Sequence, residues 1–344
     1  MQIRLPHLLG SFLAAIAGLF LVAAPAASAD DGVAQRSIGS DSAASALDYW
    51  TPERMREATP LAAPQTGSGA NLDFPATGPK PRALPQSSRL DLSNTIAPTA
   101  PRGPGKVQIG DHPPYDSGEV PLAQQTTFPT STNGRLFGKL KGFGGYSCSA
   151  TVVSSSSHSV IMTAGHCVFD ENAGFAKKVI FVPAYHDRAR PFGVFAASRL
   201  VATKGWQRIT NFNYDYAAIR LRKTGGNAVG SVVGEQGVAF NQSRQQTFQA
   251  IGFPFNFDKA ELMWNCVADF AGVDPRDRFA GKPDNGIGCD MSSGASGGGW
   301  FIRDAAGSQY INSVTSFGYP AIKKVLFGPY FDRKVLKVVN TANR

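Results

Sequence analysis

The sequence predicts an all-β domain, a barrel or a sandwich, in the C-terminal two thirds of the chain. Three observations support this class. Short apolar segments follow one another after about residue 127, Gly-, Pro- and Asn-rich turns separate them, and only one helical pattern occurs among them, at the end. The residues before this region differ in composition, so we expect a leader, a polar segment and one globular region.

Residues 1–29 have the pattern of an export signal. Arg4 gives a positive start, residues 8–22 are mostly apolar, and Ala27-Ser28-Ala29 is a small-residue cleavage site. An uncleaved membrane anchor is the alternative, but the small-residue motif favours cleavage, and no later stretch is long and apolar enough to span a bilayer. We therefore expect a secreted, extracellular protein with no stable membrane association after signal cleavage.

Residues 30–126 are rich in Pro, Ala and Ser and contain few long apolar side chains. Such a segment buries too little surface to offset its ordering entropy, so we predict that it is largely disordered. It is either a pro-segment that delays activity until export or a linker. A helical pattern over residues 43–57 is a candidate docking element.

The charge is uneven along the chain. Residues 30–120 contain 8 basic and 11 acidic side chains, whereas residues 121–344 contain 25 basic and 14 acidic side chains. A basic secreted domain could rest on an anionic cell wall, although ordinary solubility is the simpler explanation. No basic block interleaved with aromatic residues indicates nucleic-acid binding.

The predicted strands follow in order along the globular region. Residues 135–140 form the first, and residues 146–153 and 159–163 form a hairpin around a turn at 154–158. Further strands are predicted over residues 178–182, 217–221, 246–251, 299–302 and 313–317. A final helix is predicted because Phe331, Val335, Val338 and Val339 fall on one helical face after Pro329.

The chain has four cysteines, and in an exported protein an even number indicates disulfides, with three possible connectivities. Sequence neighbours suggest Cys148–Cys167 and Cys266–Cys289. The first would join the strand before His166 to the turn that carries this residue, and the second would brace the loop leading to Ser296. The absence of a Cys-x-x-Cys motif and the scattered histidines argue against zinc, so we expect neither a metal nor a cofactor.

Three motifs, TAGHC, YDYAAI and GASGG, contain His166, Asp215 and Ser296 in that order along the chain. A serine hydroxyl needs a nearby base to act as a nucleophile, and a histidine held by a buried aspartate supplies one. The apolar residues after Asp215 suit its burial. Gly294 allows the turn in which the amides of Gly294 and Ser296 would form an oxyanion hole.

The GASGG motif also fits Gly-x-Ser-x-Gly, the nucleophile turn of lipases and esterases. In that fold the catalytic histidine follows the serine. All five histidines of this chain precede Ser296, namely His7, His112, His158, His166 and His186. The lipase interpretation therefore fails.

Together with CSATVV at residues 148–153, CDM at 289–291 and GPYF at 328–331, these motifs resemble the chymotrypsin-fold serine peptidases, particularly the trypsin-like secreted peptidases of actinobacteria. The resemblance implies two six-stranded Greek-key β-barrels and a C-terminal helix. The protease domain would span residues 127–344, with the first barrel at about 127–232 and the second at about 233–344. His166 and Asp215 would lie on the first barrel and Ser296 on the second.

The resemblance also implies substrate-binding residues. Ser316, Phe317 and Gly318 would pair with the substrate backbone. Asp290, six residues before Ser296, occupies the position of the trypsin specificity residue and would favour Arg or Lys before the scissile bond. A structural hydrogen-bonding role for Asp290 remains the alternative.

Two positions depart from known family patterns. Ala295 stands where the animal enzymes carry an aspartate that pairs with the freshly cut N-terminus, so activation by N-terminal insertion is not available. Thr315 stands where glutamyl endopeptidases carry a pocket histidine, which makes acidic specificity less expected.

We therefore expect a monomeric, secreted serine endopeptidase that cleaves peptide or protein substrates through an acyl-enzyme intermediate. Two alternatives stay open: a noncatalytic secreted binding protein on the same scaffold, and a processing protease of narrow specificity.

Overall fold

The computed structural model describes residues 32–62, 90–99, 117–320, 322 and 324–344. The predicted export signal lies outside these ranges. No helix within them is long and apolar enough to cross a membrane.

The polar N-terminal region contributes folded elements that pack on the rest of the chain: β1 (Val33–Ser37), α1 (Ser40–Tyr49), α2 (Pro52–Glu57), β2 (Thr59–Pro60), β3 (Thr95–Ile96), β4 (Gly118–Glu119) and α3 (Leu122–Gln125). The prediction of disorder is therefore wrong for these stretches. The helical pattern is real but forms two helices, because Trp50 and Thr51 leave the helical conformation and Thr51 caps α2. Trp50, Met55 and Ala58 are buried in the main hydrophobic cluster, which compensates for the ordering entropy.

The next elements build a closed barrel: β5 (Asn133–Leu140), β6 (Gly144–Val153), β7 (Val160–Thr163), β8 (Phe169–Asp170), β9 (Gly174–Phe175), β10 (Lys177–Pro183), β11 (Phe195–Thr203), α4 (Lys204–Ile209) and β12 (Ala217–Leu221). Six of these strands pair in the order β11-β10-β5-β6-β7-β12, and pairing of β12 with β11 closes the ring. Strand β1 adds to β11, and β8 pairs with β9 outside the barrel.

The second half contains α5 (Val229–Val233), β13 (Gly237–Ala239), β14 (Thr247–Gly252), α6 (Phe255–Asp258), β15 (Trp264–Val273), β16 (Asn285–Gly288), β17 (Gly299–Arg303), β18 (Gln309–Val314), β19 (Val325–Gly328) and α7 (Val335–Asn343). Its main strands pair in the order β19-β16-β15-β14-β17-β18. A bridge between Phe317 and Phe327 joins the two ends of this sheet. The all-β architecture predicted from the sequence is confirmed.

Helix α7 follows the second sheet in sequence but packs on the first barrel, against β7, β11 and β12. Its buried face consists of Val335, Val338, Val339 and Ala342. Arg199 and Arg220, on the barrel, donate hydrogen bonds to the carbonyls of Thr341 and Asn343 at 2.9 and 3.1 Å. These contacts satisfy carbonyls that the helix end leaves unpaired.

Candidate active site

His166 and Asp215 form a hydrogen-bonded pair that two neighbouring strands position. His166 follows β7 and Asp215 precedes β12, and these strands pair with Thr163 opposite Ala217. The Asp215 carboxylate accepts hydrogen bonds from His166 Nδ1 and from the His166 backbone amide, both at 2.7 Å. With Nδ1 donating, the neutral imidazole presents Nε2 as a proton acceptor.

A third donor reaches Asp215 from the second sheet. The Ser316 hydroxyl donates a hydrogen bond to Asp215 Oδ2, and the carboxylate is fully buried. Sequence reasoning assigned Ser316 to substrate binding and missed this contact, since nothing in the sequence links residues that lie 101 positions apart. Three donors therefore satisfy the Asp215 carboxylate in its buried position.

The close packing around the pair depends on Gly165. A Cβ atom at this position would lie 2.9 Å from Asp215 Oδ1 and 2.8 Å from Cγ of Trp206. Only glycine therefore lets the His166 turn approach the aspartate this closely. This explains the glycine in the TAGHC motif.

Ser296 lies on a tight turn between two glycines with left-handed backbone angles, Gly294 at φ 92° and Gly297 at φ 80°. Its carbonyl accepts a hydrogen bond from the Ser149 amide at 2.8 Å, which ties the turn to β6 of the first barrel. Its hydroxyl lies 3.4 Å from the carbonyl oxygen of Leu61. His166 Nε2 is buried and has no hydrogen-bond partner among the described residues.

The same carbonyl binds one of the two amides of the proposed oxyanion hole. The Gly294 amide donates a hydrogen bond to the Leu61 oxygen at 3.1 Å. Gly294 tolerates no side chain, because a Cβ atom would lie 2.5 Å from the carbonyl oxygen of Phe253. Sequence reasoning did not identify Leu61 as part of the site, since it lies 235 positions before Ser296.

Ala295 is fully buried, and its atoms pack close to Gly252 of β14. A Cβ atom at Gly252 would lie 3.0 Å from the Ala295 Cα atom. The position thus has an apolar packing role.

The predicted specificity residue, Asp290, is half-buried, and its carboxylate is hydrogen-bonded to another segment of the chain. Its carboxylate accepts hydrogen bonds from the Ser117 amide at 2.9 Å and from the Ser117 hydroxyl at 2.6 Å. Asn256 binds the Asp290 backbone carbonyl. The N-terminal segment therefore reaches this carboxylate as well as the oxyanion hole.

The remaining predicted substrate-binding residues lie at the closure of the second sheet. The amides of Ser316 and Phe317 both donate to the Phe327 carbonyl, at 2.9 and 3.2 Å. The Phe317 ring stacks on Phe327 and meets Phe212 edge-on. Gly318 follows directly and lies near the Val325 carbonyl.

Both predicted disulfides, Cys148–Cys167 and Cys266–Cys289, are confirmed. The first connects β6 to the residue after His166. Within the described ranges, one group of three side chains lies close enough to share a metal ion: Cys148, His166 and Cys167. The disulfide consumes both thiols, so this group does not fit a metal.

Buried carboxyl groups also lie near the site. Asp284 is fully buried, and neither of its carboxylate oxygens has a hydrogen-bond partner among the described residues. Burial, reinforced by the negative charges of Asp274, Asp215 and Asp277, raises its pKa well above the usual value. Burial also raises the pKa of Asp274.

Comparison with curated proteins found two partial matches, and no family model matches the chain. A Bacillus subtilis protein named extracellular metalloprotease is 30% identical over 110 residues, which cover 32% of this chain and 34% of that protein. A Bacillus licheniformis glutamyl endopeptidase is 39% identical over 71 residues, which cover 20% of this chain and 22% of that protein. The matched region thus spans about a third of the first relative's length and less of the second's.

Solved structures match over almost their entire length. The protease Anisep from Arthrobacter nicotinovorans is 34% identical, with 64% of this chain and 98% of that chain covered at a TM-score of 0.57. The thermostable serine protease AL20 from an extremophilic microorganism is 35% identical, with 62% and 97% covered at a TM-score of 0.56. A Glu endopeptidase at 19% identity and a TM-score of 0.53 supports the fold alone. Because Anisep and AL20 align over nearly their whole length at this identity, the chain belongs to the chymotrypsin-fold serine peptidases.

Proposed function

We propose that this chain is a secreted serine endopeptidase that uses Ser296 as nucleophile, His166 as general base and Asp215 as the group that orients His166. The observation that carries the proposal is the buried Asp215–His166 pair, with Nδ1 donating at 2.7 Å and Nε2 left free to accept a proton. The hydrogen bond from the Ser149 amide to the Ser296 carbonyl also supports the proposal, because it attaches the serine turn to β6, the neighbour of the strand that precedes His166.

The reaction begins when Ser296 Oγ attacks the substrate carbonyl carbon and its proton moves to His166 Nε2. The resulting oxyanion accepts hydrogen bonds from the amides of Gly294 and Ser296, and one such donor contributes roughly 3 to 4 kcal/mol to lowering the barrier. The C–N bond then breaks, and the leaving amine takes the proton from His166. Water, deprotonated by the same imidazole, hydrolyses the acyl-enzyme and restores the serine.

For specificity, we propose that Asp290 favours Arg or Lys before the scissile bond. Its carboxylate is reachable by polar groups of another segment, as Ser117 demonstrates. The alternative, a structural role for Asp290, is supported by the same two hydrogen bonds from Ser117. Acidic specificity, which the name of the Bacillus licheniformis relative suggests, receives no support from Thr315, whose hydroxyl accepts a hydrogen bond from Trp300.

We further propose that residues 1–29 direct export, that residues 30–126 act as a pro-segment, and that the mature protein is a soluble, extracellular monomer. The export pattern of the sequence supports the first point. The packing of β1, α1, α2 and β2 on the protease region supports the second.

The test uses the protein as it is secreted and processed, with Ser296→Ala as the inactive variant and Ser243→Ala, at an exposed serine, as the matched control. We expect hydrolysis of a mixed peptide library that falls by roughly 10⁴- to 10⁶-fold in Ser296→Ala and is unchanged in Ser243→Ala. Cleavage after Arg or Lys that is lost in Asp290→Asn would support the pocket role. Equal hydrolysis by the processed protein and Ser296→Ala would refute the enzyme assignment and favour a noncatalytic binding protein.

A further inference from the structure

We propose that residues 59–61, which we call the plug, keep the catalytic serine of the intact chain latent by placing the Leu61 carbonyl in the oxyanion hole. This inference rests on the proposed function of Ser296 and adds the regulation of that site. The surface beside Ser296 is thus an interaction surface whose occupant is an extended segment of the same chain.

The plug engages two groups that a reacting carbonyl would use, the Gly294 amide and the Ser296 hydroxyl. The Leu61 oxygen lies 3.1 Å from the Gly294 amide nitrogen and 3.4 Å from Ser296 Oγ. The Ser296 proton is therefore directed to Leu61, and His166 Nε2 has no hydrogen-bond partner among the described residues. A substrate carbonyl cannot bind the Gly294 amide while this oxygen accepts its hydrogen bond.

The plug is held in place along its backbone and by its side chain. The Leu61 amide donates to the Ser147 carbonyl at 2.9 Å, and Thr59 and Pro60 pair with Tyr146 and Ser147 of β6 in parallel. The Leu61 side chain is buried in the hydrophobic cluster that includes the Cys148–Cys167 disulfide.

The two helices before the plug anchor it to the barrel. Trp50 Nε1 donates to the Lys178 carbonyl at 2.6 Å, and the Trp50 ring packs on Phe137. Met55 and Ala58 are buried in the main cluster. Because the anchor is part of the same chain, the plug is present at a high effective concentration and needs little intrinsic affinity.

A second contact covers the proposed specificity residue. Ser117 occupies the Asp290 carboxylate with two hydrogen bonds, and β4, which begins at the next residue, pairs with β15. The N-terminal region thus binds the Gly294 amide and the Asp290 carboxylate at the same time. Displacing it would free both groups for a substrate.

The plug binds differently from the substrate proposed above. Its described hydrogen bonds run to Ser147, Gly294 and Ser296, whereas the proposed substrate strand is Ser316 to Gly318. A bound substrate needs contacts on both sides of its reacting carbonyl to hold an attack geometry. We therefore expect the peptide bond after Leu61 to stay intact.

The test compares Leu61→Pro with Leu92→Pro in the full chain, because both change leucine to proline in the N-terminal region and Leu92 is 58% exposed. Proline removes the amide that binds Ser147. A fluorophosphonate probe reports on Ser296 reactivity, and a small peptide ester reports on turnover. We expect Leu61→Pro to react at least about tenfold faster than the wild-type full chain, which corresponds to about 1.4 kcal/mol, and Leu92→Pro to match the wild type.

A peptide with the sequence of residues 50–62 should slow Leu61→Pro again, and the same peptide with proline at position 61 should not. If thermal unfolding shows that Leu61→Pro does not fold, Leu61→Ala replaces it, since this change removes the buried side chain alone. A wild-type full chain that reacts as fast as the variant, or that cuts itself after Leu61, would overturn the plug and leave the protease assignment standing. No Ser296-dependent reaction in any variant or in the processed protein would instead overturn the protease assignment.

Discussion

At the scale of single residues, Asp215 links the two halves of the molecule. It accepts hydrogen bonds from His166 on the first barrel and from Ser316 beyond the end of β18 in the second sheet. The orientation of His166, the proposed general base, therefore depends on contacts between the two halves. This dependence is not visible in any local motif.

We predict that Ser316→Ala lowers kcat/KM by roughly 10- to 100-fold, because a hydrogen bond to a buried charge is worth about 1.5 to 3 kcal/mol. The pH–rate profile should also shift, since the carboxylate that stabilises the His166 imidazolium loses a donor. Ser313→Ala is the matched control: Ser313 is buried and binds the Pro329 carbonyl, away from the carboxylate. Equal profiles for the two variants would contradict a role of Ser316 in positioning Asp215.

The residues of the site were predictable to different degrees. His166, Asp215, Ser296 and Gly294 stand in local motifs from which a catalytic role can be predicted, and the structure brings the histidine and the aspartate together. Leu61 and Ser117 could not be predicted, because their contacts join residues 235 and 173 positions apart through the tertiary fold alone.

At the scale of elements, most strands with a clear alternation of apolar residues were predicted to within a few residues. The long strands β11 and β15 were missed, as were the short strands β8, β9, β13, β16 and β19. Strands β11 and β15 each contain a shift in register, between Ala197 and Arg199 in β11 and between Phe270 and Gly272 in β15. A bulge adds a residue and breaks the period-two pattern on which strand prediction depends.

The N-terminal helices were underestimated for a different reason. Composition measures the average density of apolar side chains, whereas docking here depends on a few large ones, chiefly Trp50 and Met55. Their partners belong to the barrel and contribute nothing to the local pattern.

We predict that Met55→Ala weakens the docking of α1, α2 and β2 by about 2 to 5 kcal/mol, because Met55 is completely buried. Hydrogen exchange of the amides in residues 40–61 should accelerate, while exchange in β5 and β6 stays slow. Leu47→Ala, at a residue 41% exposed on α1, is the control and should change exchange little. Equal acceleration throughout the barrel would indicate global destabilisation rather than release of the N-terminal region.

At the scale of the whole molecule, buried acids make stability depend on pH. Burial raises the pKa of Asp284, Asp274 and Glu235 above their usual values. The folded state therefore binds these protons more tightly than the unfolded state does. Their contribution to stability is present below the unfolded pKa and is lost as pH rises through the folded pKa.

We predict that Asp284→Asn raises the melting temperature at pH 8 and that its advantage disappears at acidic pH, where the wild-type carboxyl group is protonated. Each unit of pKa difference between the folded and unfolded states corresponds to about 1.4 kcal/mol. Thermal unfolding from pH 4 to pH 8 measures the effect, with Asp187→Asn, at a side chain 65% exposed, as the control. A gain in melting temperature that is the same at every pH would contradict a raised pKa of Asp284 as its cause.

Helix α7 has a consequence for the order in which the chain can fold. The barrel that carries His166 and Asp215 is covered by α7, which follows the second sheet in sequence, through Val335, Val338 and Ala342. If the chain is exported N-terminus first, as proposed, it exposes this apolar surface until residues 335–342 have crossed the membrane. The pair of His166 and Asp215 would then acquire its finished surroundings only after α7 has docked.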